Sequence, residues 1–433
     1  MKTAKEVRKS KLLQQVTCPH CWHRFPPEQI LWISEHVDLL GDPLAGPDQM
    51  QRFLPSRFTV RGEAVDAHGF PCHQLACPHC HLTIPRPLLE KEPLFFSIFG
   101  APASGKSFYL AAMTWELRKI LPMKFGLSFA DTDPILNRHL NEYEESVFSS
   151  ANATELTPLS SLIRKTEEQG DLYSTITLGT QSISYPRPCL FSLDPQPNHF
   201  SRADDKSGEK GRILCLYDNA GESFLPGKDS VSSPVTRHLA QSRALFFVMD
   251  PTQDARFQRK MGSLTKFGGL RSSRQELLAQ EAAVRIQKFS GRDSQRRRPL
   301  IVILTKFDMW GDLVSQKELP EPWLRARSEA GRESLVLDID TIQRESALMR
   351  KLMLETSPEI VTIADTLSDL VTFVPVSAIG WNVQAHPTSG LPSVIPAETK
   401  PSWATVPILL GIAQTMKSLV RLGARKKKVT EES

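Results

Sequence analysis

The sequence predicts an α/β fold with a mostly parallel sheet flanked by helices, preceded by a small cysteine-bearing module. From Leu94 onward, short apolar runs alternate with longer amphipathic stretches, a pattern typical of a parallel sheet covered by helices. A glycine-rich segment follows the first of these runs, and two Cys-Pro-His-Cys units lie in the first 90 residues. We therefore expect a metal-stabilised module at 1–90, an α/β domain at 91–424 and a basic then acidic tail at 425–433.

Composition narrows the class of protein. The 433 residues are 40% hydrophobic and 23% charged, which is typical of folded globular chains. The net charge of +5 is too small to indicate nucleic acid by itself, so a nucleic-acid partner stays possible but unsupported. Because the sequence contains no apolar run of about 18 residues and no signal peptide, we expect no transmembrane segment and a cytoplasmic location. Seven cysteines, four of them in paired units, favour a reducing compartment and metal binding over disulfides.

Apolar periodicity predicts the elements of the α/β domain. The predicted strands are Leu94–Phe99, Tyr173–Leu178, Arg187–Leu193, Ile213–Tyr217, Ala244–Asp250, Leu300–Leu304 and Val371–Val376. The predicted helices are Lys106–Lys119, Gln275–Lys288, Asp340–Leu354 and Val406–Leu422. Residues 252–273, 312–335 and 381–404 are predicted to be insertions or long loops, the last of them a functional surface or a disordered segment.

The first predicted strand leads directly into the segment Gly100-Ala-Pro-Ala-Ser104-Gly105-Lys106-Ser107, and a helix follows. Strand, glycine-rich loop and helix are the context of a phosphate-binding loop. Its glycines allow backbone N–H groups to surround a polyphosphate, Lys106 can reach the terminal phosphates, and the Ser107 hydroxyl can ligate Mg²⁺. A glycine-rich turn before a helix is the alternative.

A second cluster of candidate residues follows the predicted strand Ile213–Tyr217. Asp218 stands where ligands of α/β sheets bind and can hold Mg²⁺, usually through water. Gly221 can bring its backbone N–H close to a γ-phosphate, because no side chain intervenes there. Taken alone, Asp-x-x-Gly is also a common turn.

Two further strand ends carry groups suited to a purine base. After Leu300–Leu304 come Thr305, Lys306 and Asp308, whose carboxylate can accept hydrogen bonds from N1–H and the exocyclic amine of guanine. The Lys306 stem can cover the ring face. After Val371–Val376 come Ser377 and Ala378, whose backbone N–H can reach guanine O6. An ordinary surface turn is the alternative at each site.

Phosphate loop, Asp-x-x-Gly, Thr-Lys-x-Asp and Ser-Ala-x-Gly occur in this order, each at a predicted strand end. In this order the motifs resemble those of the Ras-like, translation-factor-related (TRAFAC) class of P-loop GTPases, over residues 94–422. The usual guanine motif of that class is Asn-Lys-x-Asp, with Thr a frequent substitute. The resemblance implies a P-loop GTPase fold that binds GTP or GDP with Mg²⁺, with Lys106 and Glu222 as catalytic candidates. The layout with an N-terminal zinc ribbon also resembles bacterial double-GTPase proteins of multi-protein defence systems.

Two departures from the class bear on catalysis. Glu222 occupies the position of the usual water-orienting Gln, so fast intrinsic hydrolysis is not expected; it can equally be a solvated helix residue. The threonine that senses the γ-phosphate is not assignable among Thr132, Thr154 and Thr157, each of which can be a loop or capping hydroxyl. No arginine finger is assigned either, and a partner could supply that charge.

The four paired cysteines, Cys18, Cys21, Cys77 and Cys80, predict a closed, structural Zn²⁺ site. Cys72 is an alternative ligand, and the neighbouring histidines are expected to be exposed.

The leading functional hypothesis is a GTP-binding switch, a probable GTPase with slow or partner-stimulated hydrolysis, that acts on a protein effector or activator. The alternatives are a P-loop ATPase acting on nucleic acid and a nucleotide-bound scaffold that does not hydrolyse.

Overall fold

The computed structural model describes most of the chain. The described residues are 12–149, 154–163, 172–202, 211–218, 237–262, 273–289, 298–315, 318–327 and 333–425. The predicted tail beyond Arg425 lies outside them.

A seven-stranded mixed sheet forms the centre of the α/β region. Its strands are β1 (Pro93–Gly100), β2 (Leu127–Asp131), β3 (Cys189–Pro195), β4 (Arg212–Asp218), β5 (Ala244–Met249), β6 (Leu300–Leu304) and β7 (Val371–Pro375). The spatial order is β2-β3-β4-β1-β5-β6-β7. Five neighbouring strands, in the spatial order β4, β1, β5, β6 and β7, run parallel. Strand β3 is antiparallel to both of its neighbours, β2 and β4. The prediction of a mostly parallel sheet is confirmed.

Helices pack on this sheet. The longer ones are α1 (Lys106–Ile120), α2 (Arg138–Phe148), α3 (Gln275–Phe289), α4 (Ile339–Thr356), α5 (Pro358–Leu367) and α6 (Val406–Thr415). Short helices span Leu159–Leu162, His238–Gln241, Ala255–Met261 and Phe307–Trp310. None of the helices in the described ranges combines the length and the apolar character that crossing a lipid bilayer requires.

Alternation along the strands divides the core between the two faces of the sheet. In β5, Phe246 and Val248 join the cluster that includes α1 and α6, whereas Leu245 and Phe247 join the cluster that includes α3 and α5. Because successive strand residues point to opposite faces, continuous apolar runs such as Leu300–Leu304 are buried on both sides.

The N-terminal region consists of short strands and turns. Four strands form one sheet in the order Thr83–Ile84, Leu75–Ala76, Leu31–Ile33 and Arg52–Phe53. Three two-stranded pairs accompany it: Val16–Thr17 with Arg24–Phe25, Leu40–Asp42 with Gly46–Met50, and Ala64–Val65 with Pro71–Cys72. A third core cluster joins this region to the large sheet, and it includes both Trp22 and Tyr217.

Several predicted elements differ from the observed ones. The strand Tyr173–Leu178 has the predicted bounds but pairs with Gln181–Pro186 in a separate hairpin, outside the central sheet. The last predicted helix ends at Thr415, before the predicted end at Leu422. Edge strand β2 and helices α2 and α5 were not predicted.

The predicted insertions contain regular structure. Residues 252–273 contain the helix Ala255–Met261, and residues 312–335 contain the strand Trp323–Arg327, which pairs with Glu333–Asp338. The latter strand also pairs with Leu422–Gly423. In the segment 381–404, predicted to be a functional surface or disordered, Gln384–Ala385 and Pro392–Val394 form strands. Pro392–Val394 also pairs with Thr157–Pro158, so a strand distant in the sequence holds this segment in place.

Candidate functional site

The carboxyl ends of the parallel strands gather the predicted polar residues at one edge of the sheet. Strands β1, β4, β5, β6 and β7 are parallel neighbours, so the segments that follow them emerge on the same side. The residues at these strand ends are Lys106, Asp218, Asp250, Thr305, Lys306, Asp308 and Ser377.

The glycine loop (residues 100–107) has an unusual backbone between β1 and α1. Ala103 and Gly105 both have positive φ, at 60° and 84°, so two left-handed residues alternate with ordinary ones. Such alternation turns successive backbone N–H groups toward a concave surface that suits anions. Gly100 allows close strand contact, because a Cβ there would lie 2.3 Å from the carbonyl oxygen of Val248.

Helix α1 begins at Lys106 without a side-chain cap, since Gly105 occupies the N-cap position. Ser104 is buried, and its hydroxyl has no hydrogen-bond partner among the described residues. Ser107 is half-buried in the first turn of the helix. Uncapped N–H groups and a buried hydroxyl are chemically suited to an anion, which they can satisfy with hydrogen bonds.

Lys106 and Asp218 form a buried ion pair. The ammonium nitrogen lies 2.8 Å from Asp218 Oδ1, and the two side chains are 7% and 3% exposed. Asp218 Oδ2 is also buried and has no hydrogen-bond partner among the described residues. A carboxylate oxygen in this position can accept a hydrogen bond from metal-bound water or ligate a hard cation.

Thr305 and Lys306 connect the end of β6 to the glycine loop. The Thr305 hydroxyl donates to the backbone oxygen of Ser104 at 2.6 Å, and Lys306 Nζ lies 3.5 Å from the oxygen of Ala103. Lys306 Nζ also pairs with the buried carboxylate of Asp250 at 2.5 Å. These contacts hold the loop against the end of β6, which is separated from β1 by β5 in the sheet. Asp250 was not predicted as a site residue, and only its position at a strand end marks it in the sequence.

Asp308 and Ser377 come together from two adjacent strand ends. The Ser377 hydroxyl donates to Asp308 Oδ1 at 2.6 Å and accepts from the backbone N–H of Gly380 at 2.8 Å. Asp308 is 8% exposed, and Ala378 beside it is half-buried. The hydroxyl therefore fixes the orientation of a carboxylate that can still accept hydrogen bonds from a ligand.

The described part of the chain does not include every predicted residue. Gly221 and Glu222 lie outside the described residues. The Thr157 hydroxyl donates to the backbone oxygen of Glu155, which is a local turn contact, and Thr154 is exposed. The γ-phosphate-sensing threonine therefore stays unassigned.

The four predicted cysteines form one buried cluster. The Sγ atoms of Cys18 and Cys80 lie 3.7 Å apart, and those of Cys21 and Cys77 lie 3.8 Å apart. Four sulfurs placed tetrahedrally about 2.3 Å from a zinc ion would lie about 3.8 Å from one another, so the distances fit. All four side chains are at most 7% exposed, which leaves no open position for a substrate.

The cluster is built from two copies of one turn, the cysteine knuckles (residues 18–23 and 77–82). In each copy the N–H of the first cysteine bonds to the oxygen of the residue five positions later: Cys18 to His23 at 2.9 Å and Cys77 to Leu82 at 3.0 Å. Trp22 and His81, at equivalent positions, have nearly the same positive φ, 60° and 58°. Burial holds the pKa of the Cys18 thiol well above its ordinary value, so a cation is needed to stabilise the thiolates.

Of the histidines in and beside the knuckles, His23 and His79 are exposed as expected, whereas His81 is half-buried. His20 is buried at 2% exposure, which makes the prediction of an exposed residue wrong for this side chain. Its Nε2 lies 3.1 Å from the oxygen of Thr83, and burial lowers its pKa to about 4. His81 pairs through Nδ1 with Asp42 at 2.9 Å. Cys72 is buried but does not belong to the cluster.

Tyr217 links the first knuckle to the sheet-edge site. Its hydroxyl donates to the backbone oxygen of Pro19 at 2.5 Å and accepts from the Trp22 indole N–H at 3.0 Å. Its ring stacks on His238 with a centroid distance of 4.9 Å. Because Tyr217 directly precedes Asp218 on β4, the first knuckle contacts this strand one residue before the Lys106–Asp218 ion pair. In the sequence, Tyr217 is recognisable only as a strand residue.

Comparison with known proteins gives limited guidance. No protein-family model matches the chain. A curated relative from Mycolicibacterium smegmatis, provisionally described as the ESX-1 scaffolding and assembly protein SaeC, is 26% identical over 251 residues. The match covers 54% of this chain and 57% of the relative, so it spans just over half the length of each.

Among solved structures, the chain has a weak likeness to the GTPase-like domain of S. cerevisiae Ski7, bound to GDP and inorganic phosphate. The sequences are 11% identical, the TM-score is 0.22, and the likeness covers 66% of this chain and 43% of that one. A TM-score this low does not establish a shared fold.

Proposed function

We propose that this chain binds GTP and GDP with Mg²⁺ at the sheet edge and acts as a switch whose hydrolysis is slow or stimulated by a partner. The observation that carries the proposal is the convergence of the glycine loop, Asp218, the segment from Thr305 to Asp308, and Ser377 on one edge of the sheet, with Lys106 and Asp218 in contact at 2.8 Å. This convergence supports the proposal that the chain is a P-loop GTPase.

The phosphates would occupy the glycine loop. Its left-handed residues Ala103 and Gly105 and the uncapped start of α1 offer N–H donors, and Lys106 supplies the positive charge. Ser107 and Asp218 would hold Mg²⁺, directly or through water, and the metal would neutralise charge that develops on the phosphates. Glu222 is the candidate that orients the attacking water.

The base would lie between Lys306 and the Asp308–Ser377 pair. A fixed carboxylate accepts hydrogen bonds from both N1–H and the 2-amino group of guanine, whereas adenine offers an acceptor at N1 and would leave the carboxylate unpaired. Asp308 is held by the Ser377 hydroxyl at 2.6 Å, so it is preorganised for this role.

The cysteine cluster would hold a structural Zn²⁺. The two pairs of sulfurs 3.7 and 3.8 Å apart, and the burial of all four, support a closed tetrahedral site. The metal would fix the N-terminal region and, through Tyr217, the end of β4.

Nucleotide selectivity tests the proposal. Calorimetry in magnesium buffer should show that GTP binds and ATP does not compete. In Asp308→Asn, GTP affinity should fall by about 100-fold and xanthosine triphosphate should bind better, because the amide can donate to the carbonyl that replaces the 2-amino group.

Asp312→Asn is the matched control, since Asp312 lies four residues later in the short helical segment that follows. It should leave both affinities unchanged. Equal affinity of the unaltered chain for GTP and ATP would contradict guanine recognition and favour an ATPase.

A nucleotide-bound scaffold that does not hydrolyse is the second candidate, because the relative in M. smegmatis is described as a scaffolding and assembly protein. Single-turnover assays with radiolabelled GTP distinguish the two. Phosphate release that disappears in Lys106→Ala supports the switch, whereas bound GTP that stays intact, with candidate partner proteins added, supports the scaffold.

A further inference from the structure

A second group of side chains able to ligate a metal lies in the N-terminal region, apart from the cysteine cluster. This His–Asp group consists of His36, Asp38 and His68, and one candidate ligand atom of each lies within 4.8 Å of those of the other two. None of the three is assigned above to nucleotide, Mg²⁺ or Zn²⁺. His36 is half-buried, whereas Asp38 and His68 are exposed, so an ion can reach the group from solvent.

Two turns that are distant in the sequence supply these side chains. His36 and Asp38 come from the turn at 36–39, and His68 comes from the tip, at 66–70, of a short antiparallel hairpin. Because about 30 residues separate the two turns, only the fold of the N-terminal region brings the two imidazole rings into contact.

The buried carboxylate of Asp66 holds the two turns together. Its Oδ2 accepts hydrogen bonds from the backbone N–H groups of Glu35 and His36 at 3.3 and 3.1 Å. Its Oδ1 accepts hydrogen bonds from the backbone N–H groups of His68 and Phe70 at 3.0 and 2.9 Å. Asp66 is 1% exposed. Since one carboxylate bonds both turns, the backbone beneath the two histidines is positioned before an ion arrives.

The His36 ring has one nitrogen ready to bind a cation. The backbone N–H of Asp38 donates to His36 Nδ1 at 3.2 Å, so in the neutral ring Nδ1 holds the lone pair and Nε2 carries the proton. His36 Nδ1 also lies 3.7 Å from Asp38 Oδ2. A nitrogen and an oxygen that are each about 2.1 Å from one tetrahedral ion lie about 3.4 Å apart, so this pair needs little movement. The ion would replace the exposed Asp38 N–H, which can then bond to water.

His68 has to turn in order to complete the site. Its ring stacks on that of His36, with ring centres 4.3 Å apart and an angle of 15° between the planes. An imidazole binds an ion in the plane of its ring, so two stacked rings cannot share one ion. Because His68 is exposed, its side chain changes rotamer readily, and the fixed backbone keeps it within reach of the ion.

The combination of two imidazoles and one carboxylate selects the kind of ion. Imidazole suits Zn²⁺, Ni²⁺ and Cu²⁺, whereas Mg²⁺ and Ca²⁺ prefer oxygen ligands. We propose that His36, Asp38 and His68 bind one divalent transition-metal ion, with water in the remaining coordination positions. Unlike the closed cysteine cluster, this site exchanges its ion with solvent. The proposal depends neither on nucleotide nor on zinc in the cysteine cluster, since it uses different residues.

Calorimetry on the full chain, purified with zinc and without a histidine tag, tests the proposal. Titration with NiCl₂ in a buffer that contains millimolar Mg²⁺ should show one bound Ni²⁺ per chain. In His68→Ala the affinity should fall at least about 10-fold, because one of three protein ligands is lost. Asp38→Asn keeps the shape of the side chain but removes its charge, and it should weaken binding by about 10-fold as well.

His73→Ala is the matched control. His73 is an exposed histidine five residues after His68, and it lies outside the His–Asp group. This variant should bind Ni²⁺ as the unaltered chain does. Since the changed side chains are exposed, all three variants should keep the circular dichroism spectrum of the unaltered chain.

The absorption spectrum of Co²⁺ distinguishes this site from the cysteine cluster. With nitrogen and oxygen ligands alone, added Co²⁺ should give weak visible bands and no intense near-ultraviolet charge-transfer band, which thiolate ligands produce. These weak bands should be present in His73→Ala and absent in His68→Ala.

Four results would overturn the proposal. They are no Ni²⁺ bound by the unaltered chain, equal Ni²⁺ affinity in His68→Ala and Asp38→Asn, loss of binding in His73→Ala, and a thiolate charge-transfer band on addition of Co²⁺. The last would show that the added ion enters the cysteine cluster instead.

Discussion

The cysteine knuckles and the sheet-edge site are assembled in opposite ways. Each knuckle is a six-residue turn specified by its own sequence, and the chain uses it twice with the same hydrogen bonds. The sheet-edge site takes its groups from the ends of five strands spread from Gly100 to Ser377. The knuckles are two copies of a local structure, whereas the sheet-edge site forms only when the whole sheet has folded.

This difference teaches where each site is vulnerable. In the proposed zinc site a metal would stabilise the buried sulfurs of the knuckles, whereas the sheet edge is held by protein contacts such as Thr305 to Ser104 and Ser377 to Asp308. The stability of variants in the knuckles should therefore depend on the zinc concentration, whereas the stability of variants at the sheet edge should not.

The largest effect is expected for Cys80→Ser. Losing one of four thiolates should abolish tight zinc binding, since structural sites contribute on the order of 10 kcal/mol to folding of their module. Metal analysis should fall from one zinc per chain to nearly none, with a lower melting temperature. Cys72→Ser, a buried cysteine outside the cluster, should keep its zinc. Full zinc content in Cys80→Ser would refute the four-thiolate assignment.

Lys106→Ala should come next. If Lys106 faces the phosphates as proposed, its loss should weaken GTP binding on the order of 100-fold. The Asp218 carboxylate left buried alone should lower stability by about 3 kcal/mol. Calorimetry and thermal melts measure the two effects. Lys119→Ala, on the exposed far end of the same helix, should show neither. An unchanged GTP affinity in Lys106→Ala would remove the glycine loop from the nucleotide site.

A smaller effect is expected for Gly100→Ala. Its Cβ would meet the Val248 carbonyl oxygen at 2.3 Å, so β1 and β5 must separate. Such overpacking costs about 1–3 kcal/mol, and urea unfolding should show it without loss of zinc. If Gly100→Ala instead lost zinc while its unfolding free energy stayed unchanged, the cysteine cluster would depend on the packing of the sheet. The two sites would then not be independent of each other.

The smallest effect is expected for Tyr217→Phe, which removes the two hydrogen bonds between the Tyr217 hydroxyl and the first knuckle. The Pro19 oxygen and the Trp22 indole N–H would lose a partner, at a cost of about 1–2 kcal/mol. Tyr109→Phe is the matched control, because the buried Tyr109 hydroxyl has no partner among the described residues and its removal should be neutral or stabilising. Equal unfolding free energies for the two variants would show that the Tyr217 contacts contribute nothing.

The sequence predicts the central strands well and identifies the candidate groups that follow them, because strands and motifs both depend on local patterns. Runs such as Leu300–Leu304 are apolar throughout, and the cysteine and glycine motifs have fixed spacings. Edge strand β2 was missed because its pairing with β3, from Leu127 to Pro195, depends on residues distant in sequence. Asp250 and Tyr217 were missed for the same reason, since each is important only through a contact across the fold.

The Lys106–Asp218 ion pair would link the binding of nucleotide to the binding of magnesium. If the ammonium turns from the carboxylate to a triphosphate, two anionic groups would face each other in a buried space, and a divalent cation is the group that can separate them. Occupancy of the site by nucleotide and by magnesium should then rise together in a titration. A chelator that binds magnesium without contacting the protein should therefore release the nucleotide as effectively as dilution does.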